Sequence, residues 1–531
     1  MKSPASGAGA RSSAVAPKSE AVKKAMRIGW AALKRGRGRS GAKPAPPKQL
    51  GLPLRWEPLI AGLFGLLTLT LLNGEISTLP QQWLSRGLIA TAQMGLMAAL
   101  IRQMGLVRVS GQTLRSPVAS SAQEVGLVLL VLIGLLSLLG VRIIAVLAHE
   151  PVLGSERGFL AFAPLIAGSM MLCILIHPLL AILTFTVLLG GLVVALELPA
   201  LTAGLLGLIG WSAIFVVHPL RRRTDLFRVG TLLSALFAAG AFAAELHAHA
   251  NWQQACIGAF WGLVSGTGAI ALFWLGLTLL ERPFRLATPM ALMELASLEH
   301  PLLRELRDKA PGTYFHSQYV GQLAEEAALA IGADPMLARV GGYYHDIGKL
   351  TRPDFYIENQ TGPNAHERIN PALSARIIAS HVRDGVELAH QHRLPTAICD
   401  IIAQHHGTSL ITYFYHQAVS EGRDPMLEQH FRYDGPKPQT REAALVMLAD
   451  TVEAATRTLE NPTPARLASY VHELIEMRRQ DGQLDESTLT FRDLKLIEEA
   501  FVRVLVALRH RRLEYRIASP ESEELYAANL P

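Results

Sequence analysis

Histidine and aspartate recur through the second half of the chain in an order suited to holding cations: His316, then His345-Asp346, His381, His405-His406 and Asp450. Neutral imidazole and ionised carboxylate together suit Mn, Fe or Zn. A carboxylate has two oxygens and can bridge two cations, whereas a neutral imidazole cannot. Asp346, directly after a candidate ligand histidine, is the natural bridge. Two cations about 3.5–4 Å apart polarise a phosphate, lower the pKa of a shared water and stabilise the leaving oxygen. The residues alone therefore point to a phosphate ester and two divalent metal ions. A lone His-Asp pair carries little weight, because it is common by chance. The ordered set of five histidines and two aspartates carries the reading. His300, His390, His392, His416, His430, His472 and His510 read as structural or surface residues.

These side chains need helices to position them. Asp334 N-caps a helix with Pro335 at its first position, running to about His345. Asn370-Pro371 repeats that signal and predicts a helix ending at about His381, before Gly385. Pro395 opens a third, ending at His405 before Gly407, and Thr440 caps a fourth that contains Asp450. His316 lies near the start of the helix preceding them all. No run alternates with period two, so no sheet is expected. The ligand candidates fall at or near helix ends and can converge on one pocket.

The first half has a different composition. The chain has 531 residues, half of them apolar, and the apolar ones concentrate between Glu57 and Leu280. A spanning helix needs about 20 mostly apolar residues. Candidates are 57–73, 87–106, 124–148, 159–176, 178–197, 200–218, 228–247 and 255–280, with His177-Pro178 as a tight turn. Arg221, Arg222, Arg223 and Arg228 mark one inside loop, and Arg282 and Arg285 mark another. The first 50 residues carry twelve Lys/Arg against Glu20 alone and read as a basic tail beside an anionic inner leaflet rather than a nucleic-acid arm. A tail and a C-terminal half both inside require an even number of spans, hence eight. With 87–106 only at the surface the count is seven. Gly190-Gly191 and Gly240 read as packing surfaces, and the sparse buried charge (Arg102) argues against a transporter. No signal-peptide pattern is expected. Cys173, Cys256 and Cys399 form no disulfide framework.

The expected organisation is all-α: a basic tail over 1–56, a multi-span membrane domain over 57–280, a cytoplasmic helical bundle over 281–515 and a mobile tail over 516–531. The ligand order resembles the HD superfamily of metal-dependent phosphohydrolases. The segments "APGTYFHSQYVGQLAEEAA", "ARVGGYYHDIGKLTRPDFYIENQ", "HERINPALSARIIASHVRDGVELA", "IIAQHHGTSLITYFY" and "MLADTVEAATRTL" look like the membrane-anchored seven-transmembrane HD family, which hydrolyses cyclic di-AMP. With the membrane block, the resemblance covers about two-thirds of the chain.

That resemblance implies a phosphodiesterase opening cyclic di-AMP to linear pApA by attack of a dimetal-bridging hydroxide. It implies one metal on His316, His345, Asp346 and Asp450, and a second on Asp346, His381, His405 and His406, with Mn or Fe foremost. Asp346 and Lys349 would be the catalytic residues. Lys349 would neutralise a phosphate oxygen, and His366 and Thr408, with Ser409 beside it, would reach substrate. Asn359 and Gln360 match the family without an assigned chemistry. The partners implied are a cyclic dinucleotide and the lipid bilayer, with no nucleic-acid polymer and room for a homo-oligomer. The location implied is a bacterial-type inner membrane with both termini cytoplasmic. Two departures stand out. The family often has two histidines where this chain has Phe315-His316. It also usually has a large external domain where only 74–86, or at most 74–123, is available. The Gly-Tyr-Pro signature of the cyclic di-GMP branch is absent. Two alternatives stay open: another nucleotide substrate, such as a deoxynucleotide or stringent-response nucleotide, or an inert nucleotide receptor coupled to the membrane.

Overall fold

The computed structural model describes residues 117–147, 158–196, 198–218, 220, 224–459 and 462–510. The expected spans 57–73 and 87–106 and both expected tails lie outside these residues.

Among the described residues the first helix of the membrane block is α1 (Pro117–Leu147). A 3-10 turn (Gly158–Phe162) then leads straight into α2 (Ala163–Leu175), so the span expected over 159–176 is helical but starts tightly wound. α3 (Pro178–Ala195), α4 (Ala200–Val217), α5 (Asp225–His249) and α6 (Trp252–Phe284) follow. His177 caps α3 by accepting the Leu179 N–H at its ring, which makes the turn read from His177-Pro178. Helices α4, α5 and α6 are long and apolar enough to cross a membrane, and α1–α3 contain shorter apolar stretches. Large apolar side chains also face outward, among them Leu208 and Phe215 on α4. That distribution suits a lipid solvent.

Small residues set the close contact between α5 and α6. Gly258, Gly262 and Gly266 recur every fourth residue along α6 and so share one face. A Cβ on Gly262 would lie 2.5 Å from the Phe237 carbonyl oxygen of α5, and one on Gly266 would lie 2.4 Å from Ser234 Cα. Close backbone approach of this kind is a main source of helix association in lipid. A Cβ on Gly240 would lie 3.0 Å from Ile209 Cδ1, as expected of a packing surface, and one on Gly190 would meet nothing within 4 Å among the described residues. At about 1.5 Å per residue α6 is about 50 Å long, and one end clears a hydrocarbon core of about 30 Å.

Arg285, in the left-handed region (φ 49°), ends α6 and turns the chain into the second half. There α7 (Pro289–Leu295), α8 (Pro301–Lys309) and α9 (Pro311–Ile331) precede the site helices. Asp334 caps α10 (Pro335–Tyr344) through the N–H groups of Met336 and Leu337. Asn370 caps α11 (Pro371–Gln391), α12 covers Thr396–Gln404 and α13 covers Thr412–Ser420. Thr440 caps α14 (Arg441–Thr456), followed by α15 (Pro464–Gln480) and α16 (Phe491–His510). α9 is central, packed against α10, α14 and α16. Among the described residues the only β-pairing is an isolated antiparallel bridge between Leu410 and Arg432. The apolar core of this half, including Leu323, Tyr344, Ile402, Leu448 and Phe501, is separate from the core of the membrane block.

Helix α11 corrects one expectation: it does not end at His381 but runs ten residues further, to Gln391. Gly385 is not a stop signal. It admits the neighbouring backbone, with Gly348 lying against it: a Cβ on Gly348 would fall 1.9 Å from the His381 carbonyl oxygen and 2.5 Å from Gly385 N. Two glycines thus bring the turn after His345-Asp346 against the middle of α11, where His381 sits.

Candidate dimetal site

Each ligand candidate is delivered by the end or the inner face of a helix. His345 caps the C-terminus of α10, and Asp346 directly precedes the 3-10 turn Ile347–Thr351. His316 points inward from the second turn of α9, and His381 from the middle of α11. His405 ends α12, and Gly407 (φ 53°) reverses the chain directly after His406. Asp450 comes from α14. All seven converge, and His316, His345, Asp346, His381, His405 and Asp450 are buried.

Asp346 is the hub. Its Oδ1 lies 3.3 Å from His381 Nε2 and 3.7 Å from His405 Nε2. Its Oδ2 lies 3.2 Å from His345 Nε2 and 3.6 Å from His316 Nε2. The two oxygens of one carboxylate therefore face two different histidine pairs. Two ligand groups result, Asp346/His381/His405/His406 and His316/His345/Asp346, and Asp346 belongs to both. Asp450 joins the second, with Oδ1 3.1 Å from His316 Nε2, while its Oδ2 lies 3.7 Å from His406 Nδ1.

The imidazoles are oriented for cations. Nδ1 of His345, His381 and His405 each lies 2.6–2.8 Å from the backbone carbonyl three residues earlier. A carbonyl only accepts, so each Nδ1 carries the hydrogen and each Nε2 presents a lone pair. His381 Nε2 and His405 Nε2 then face one another at 3.2 Å, lone pair to lone pair, unless a positive charge lies between. His345 Nε2 and Asp346 Oδ1 are buried with no hydrogen-bond partner. Unsatisfied buried groups of this kind are costly without a ligand. The residues present fit a pair of divalent cations on these grounds.

The electrostatics agree. Burial holds His381 neutral and pushes it down to about 3. Burial likewise keeps His406 well below its usual range. Burial works against the charge on Asp346, but His345 and Lys349 outweigh it and hold the carboxyl well below its usual range. Asp450 is lowered too, with the hydrogen bond to His316 as the main force opposing burial. Burial also opposes charge on His316, yet Asp450 and Glu453 raise it to about 10.

Other expected site residues are placed less directly. Lys349 Nζ sits 2.7 Å from both Asp346 Oδ2 and Glu358 Oε1, committed to carboxylates. His366 is buried outside the two ligand groups, with Nε2 2.8 Å from the Phe355 carbonyl and its ring against Phe414. Thr408 bonds through N–H and hydroxyl to Gln483 Oε1, and Ser409 Oγ donates to the His406 carbonyl. Asn359 ties to Thr313 through both ends of its amide.

Sequence reasoning missed several supports. Glu453 Oε2 receives His316 Nδ1 at 2.5 Å. Its position three residues after Asp450, on the same helical face, was the available signal. Glu358, Gln483 and Tyr433 carried no such cue. Tyr433 stacks on His406 with ring centres 4.2 Å apart. A carboxylate behind a ligand histidine fixes its tautomer and strengthens it as a donor. Glu453→Ala is therefore expected to weaken Mn²⁺ binding by about 10–100-fold in a metal titration. Unchanged affinity would show that Glu453 does not orient His316.

A helical bundle with a buried His/Asp cluster of this order defines an HD-domain protein, a metal-dependent class. Residues 313–455 match the family described as HD domain, and residues 83–288 match the family described as 7TM receptor with intracellular HD hydrolase. The chain belongs to the membrane-anchored HD family, and it is a membrane protein. It is similar to "Cyclic-di-AMP phosphodiesterase PgpH" of Bacillus subtilis, 44% identical over 255 residues, covering 48% of this chain and 36% of that one. The protein of the same name from Listeria monocytogenes is 43% identical over 262 residues, covering 49% and 35%. The crystal structure of the L. monocytogenes phosphodiesterase PgpH HD domain in complex with cyclic-di-AMP is 44% identical, covers 40% of this chain and 99% of that one, and has a TM-score of 0.39. The chain spans about a third of the length of the curated relatives it matches.

Proposed function

We propose that this protein is a two-metal phosphodiesterase that opens cyclic di-AMP to linear pApA. The observation that carries the reading is Asp346, whose two oxygens face two separate histidine pairs. His316, His345, Asp346 and Asp450 would hold one cation, and Asp346, His381, His405 and His406 the other. Mn or Fe suits this mixed imidazole and carboxylate set. When bound, two such cations polarise a phosphodiester, lower the pKa of water and offset charge on the departing oxygen. The chain's own residues orient the parts. The backbone carbonyls behind His345, His381 and His405 fix their tautomers, and Glu453 does so for His316. Lys349, braced by Glu358, keeps Asp346 ionised. In the reaction a water oxygen bonds to phosphorus, the bond to the 3′ oxygen breaks, and that oxygen takes up a proton. The choice of cyclic di-AMP rests on similarity to the two cyclic-di-AMP phosphodiesterases above.

The remaining organisation follows as part of the same proposal. Residues 281–515 form the hydrolase domain, and 57–280 form a membrane domain of about eight spans in a bacterial-type inner membrane. Arg282 and Arg285 after α6 support a cytoplasmic side for that domain and the C-terminus.

The test is hydrolysis by the full-length chain in detergent with Mn²⁺, using cyclic di-AMP and cyclic di-GMP separately and resolving products by chromatography. Linear product is expected from cyclic di-AMP in preference to cyclic di-GMP, and chelation should abolish it. A metal-loaded protein that turns over neither nucleotide would refute the reading.

A further inference from the structure

Arg478, near the end of α15, is a basic residue beside the site that forms no ion pair within 4.0 Å among the described residues. Its Nε donates to Thr451 Oγ1 at 3.0 Å, and Thr451 directly follows Asp450 in α14. The Thr451 hydroxyl donates in turn to the Met447 carbonyl at 2.8 Å, so the stem of Arg478 is held from the helix that supplies a ligand. The two terminal amino groups of Arg478 meet no carboxylate, carbonyl or hydroxyl among the described residues. Neighbouring cations differ. Lys349 is held by Asp346 and Glu358, Arg432 by Glu428 and Asp481, and Lys437 by the Gly482 carbonyl.

The surroundings of this guanidinium belong to the site. Burial works against its charge, and Asp450, Asp481 and Tyr433 are the acidic groups that offset it. Tyr433 lies flat on His406 and edge-on to His381. Its hydroxyl, like the end of Arg478, makes no hydrogen bond among the described residues. A half-buried guanidinium held by its Nε, with its outer fork unpaired, is shaped for a phosphate oxygen pair.

A cyclic dinucleotide carries two phosphodiester anions, and only one can lie at the His/Asp cluster during hydrolysis. The other needs a cation, and Lys349 is already committed. We propose that the Arg478 guanidinium binds this second phosphate, making Arg478 a specificity residue for two-phosphate substrates. The inference rests on the phosphodiesterase reading above.

The experiment uses the full-length chain with Mn²⁺ and compares wild type, Arg478→Gln and Arg478→Lys. Cyclic di-AMP and the single-phosphate diester bis(p-nitrophenyl) phosphate are the substrates, and cyclic di-AMP binding is measured separately at equilibrium. Metal content and thermal midpoint are recorded for each protein. Arg478→Gln is expected to raise KM and Kd for cyclic di-AMP about tenfold or more, with kcat within about threefold and KM for the single-phosphate diester within about twofold. Arg478→Lys keeps the charge without the fork and should fall between. Should Arg478→Gln lose metal or fold, Arg478→Lys carries the same comparison. Cyclic di-AMP bound within about twofold of wild type, or an equal rise in KM for both substrates, would overturn the proposal. If wild type hydrolyses neither substrate, the phosphodiesterase reading fails, while a tenfold loss of cyclic di-AMP binding in Arg478→Gln would still uphold the phosphate contact. If wild type does not bind cyclic di-AMP, both fall.

Discussion

Asp346→Ala is expected to abolish hydrolysis, with a loss of roughly 10⁴-fold or more, on the scale seen when a central catalytic group is removed. The size follows from position. Each Asp346 oxygen faces a different histidine pair, so one substitution removes a donor from both ligand groups. The fold should survive, because Lys349 keeps its 2.7 Å contact with Glu358 and the carbonyl contacts of His345, His381 and His405 do not involve Asp346. Asp346→Asn keeps the shape and loses the charge, and it should be nearly as inactive. The check is initial rate with cyclic di-AMP alongside circular dichroism. A folded Asp346→Ala protein retaining more than about a tenth of wild-type rate would remove Asp346 from the centre of the site.

Gly348→Ala carries the second large effect, through packing rather than charge. An added Cβ would sit 1.9 Å from the His381 carbonyl oxygen, 2.8 Å from its carbonyl carbon and 2.5 Å from Gly385 N. All three are backbone atoms of α11, so no side chain can swing away and the helix itself must shift. Overpacking of this kind costs about 1–3 kcal/mol. It also moves His381 relative to Asp346, and a displacement of about 1 Å can cost on the order of 100-fold in rate. Thermal unfolding and rate should therefore both fall. Gly362→Ala is the control, because a Cβ there meets nothing within 4 Å. If Gly348→Ala matched that control in both measurements, the close approach of turn and helix would not be what places His381.

The legible parts of this protein were those set by local chemistry. Asp334, Asn370 and Thr440 announced helix starts because a short polar side chain satisfies N–H groups two or three residues away. The seven ligand candidates were legible because few other reasons bring that many His and Asp together in order. Features set by contacts distant in sequence were not. Gly385 read as a helix end because a glycine usually weakens a helix, yet Gly348 from another segment lies against it. Lys349 read as a phosphate ligand because Glu358, nine residues away across a turn, gave no sign of returning to it. The seam of Gly258, Gly262 and Gly266 was overlooked, because composition does not say which face of an apolar helix meets a neighbour.

The central claim is that one carboxylate joins two metal sites, and counting metal tests it most directly. Full-length protein loaded with Mn²⁺ and freed of excess would be assayed for bound metal per chain, in wild type and in His316→Ala, His381→Ala and Asp346→Ala. Two ions are expected in wild type, with a separate loss of one in each histidine variant and loss of both in Asp346→Ala. A single ion in wild type, or two retained in Asp346→Ala, would contradict it.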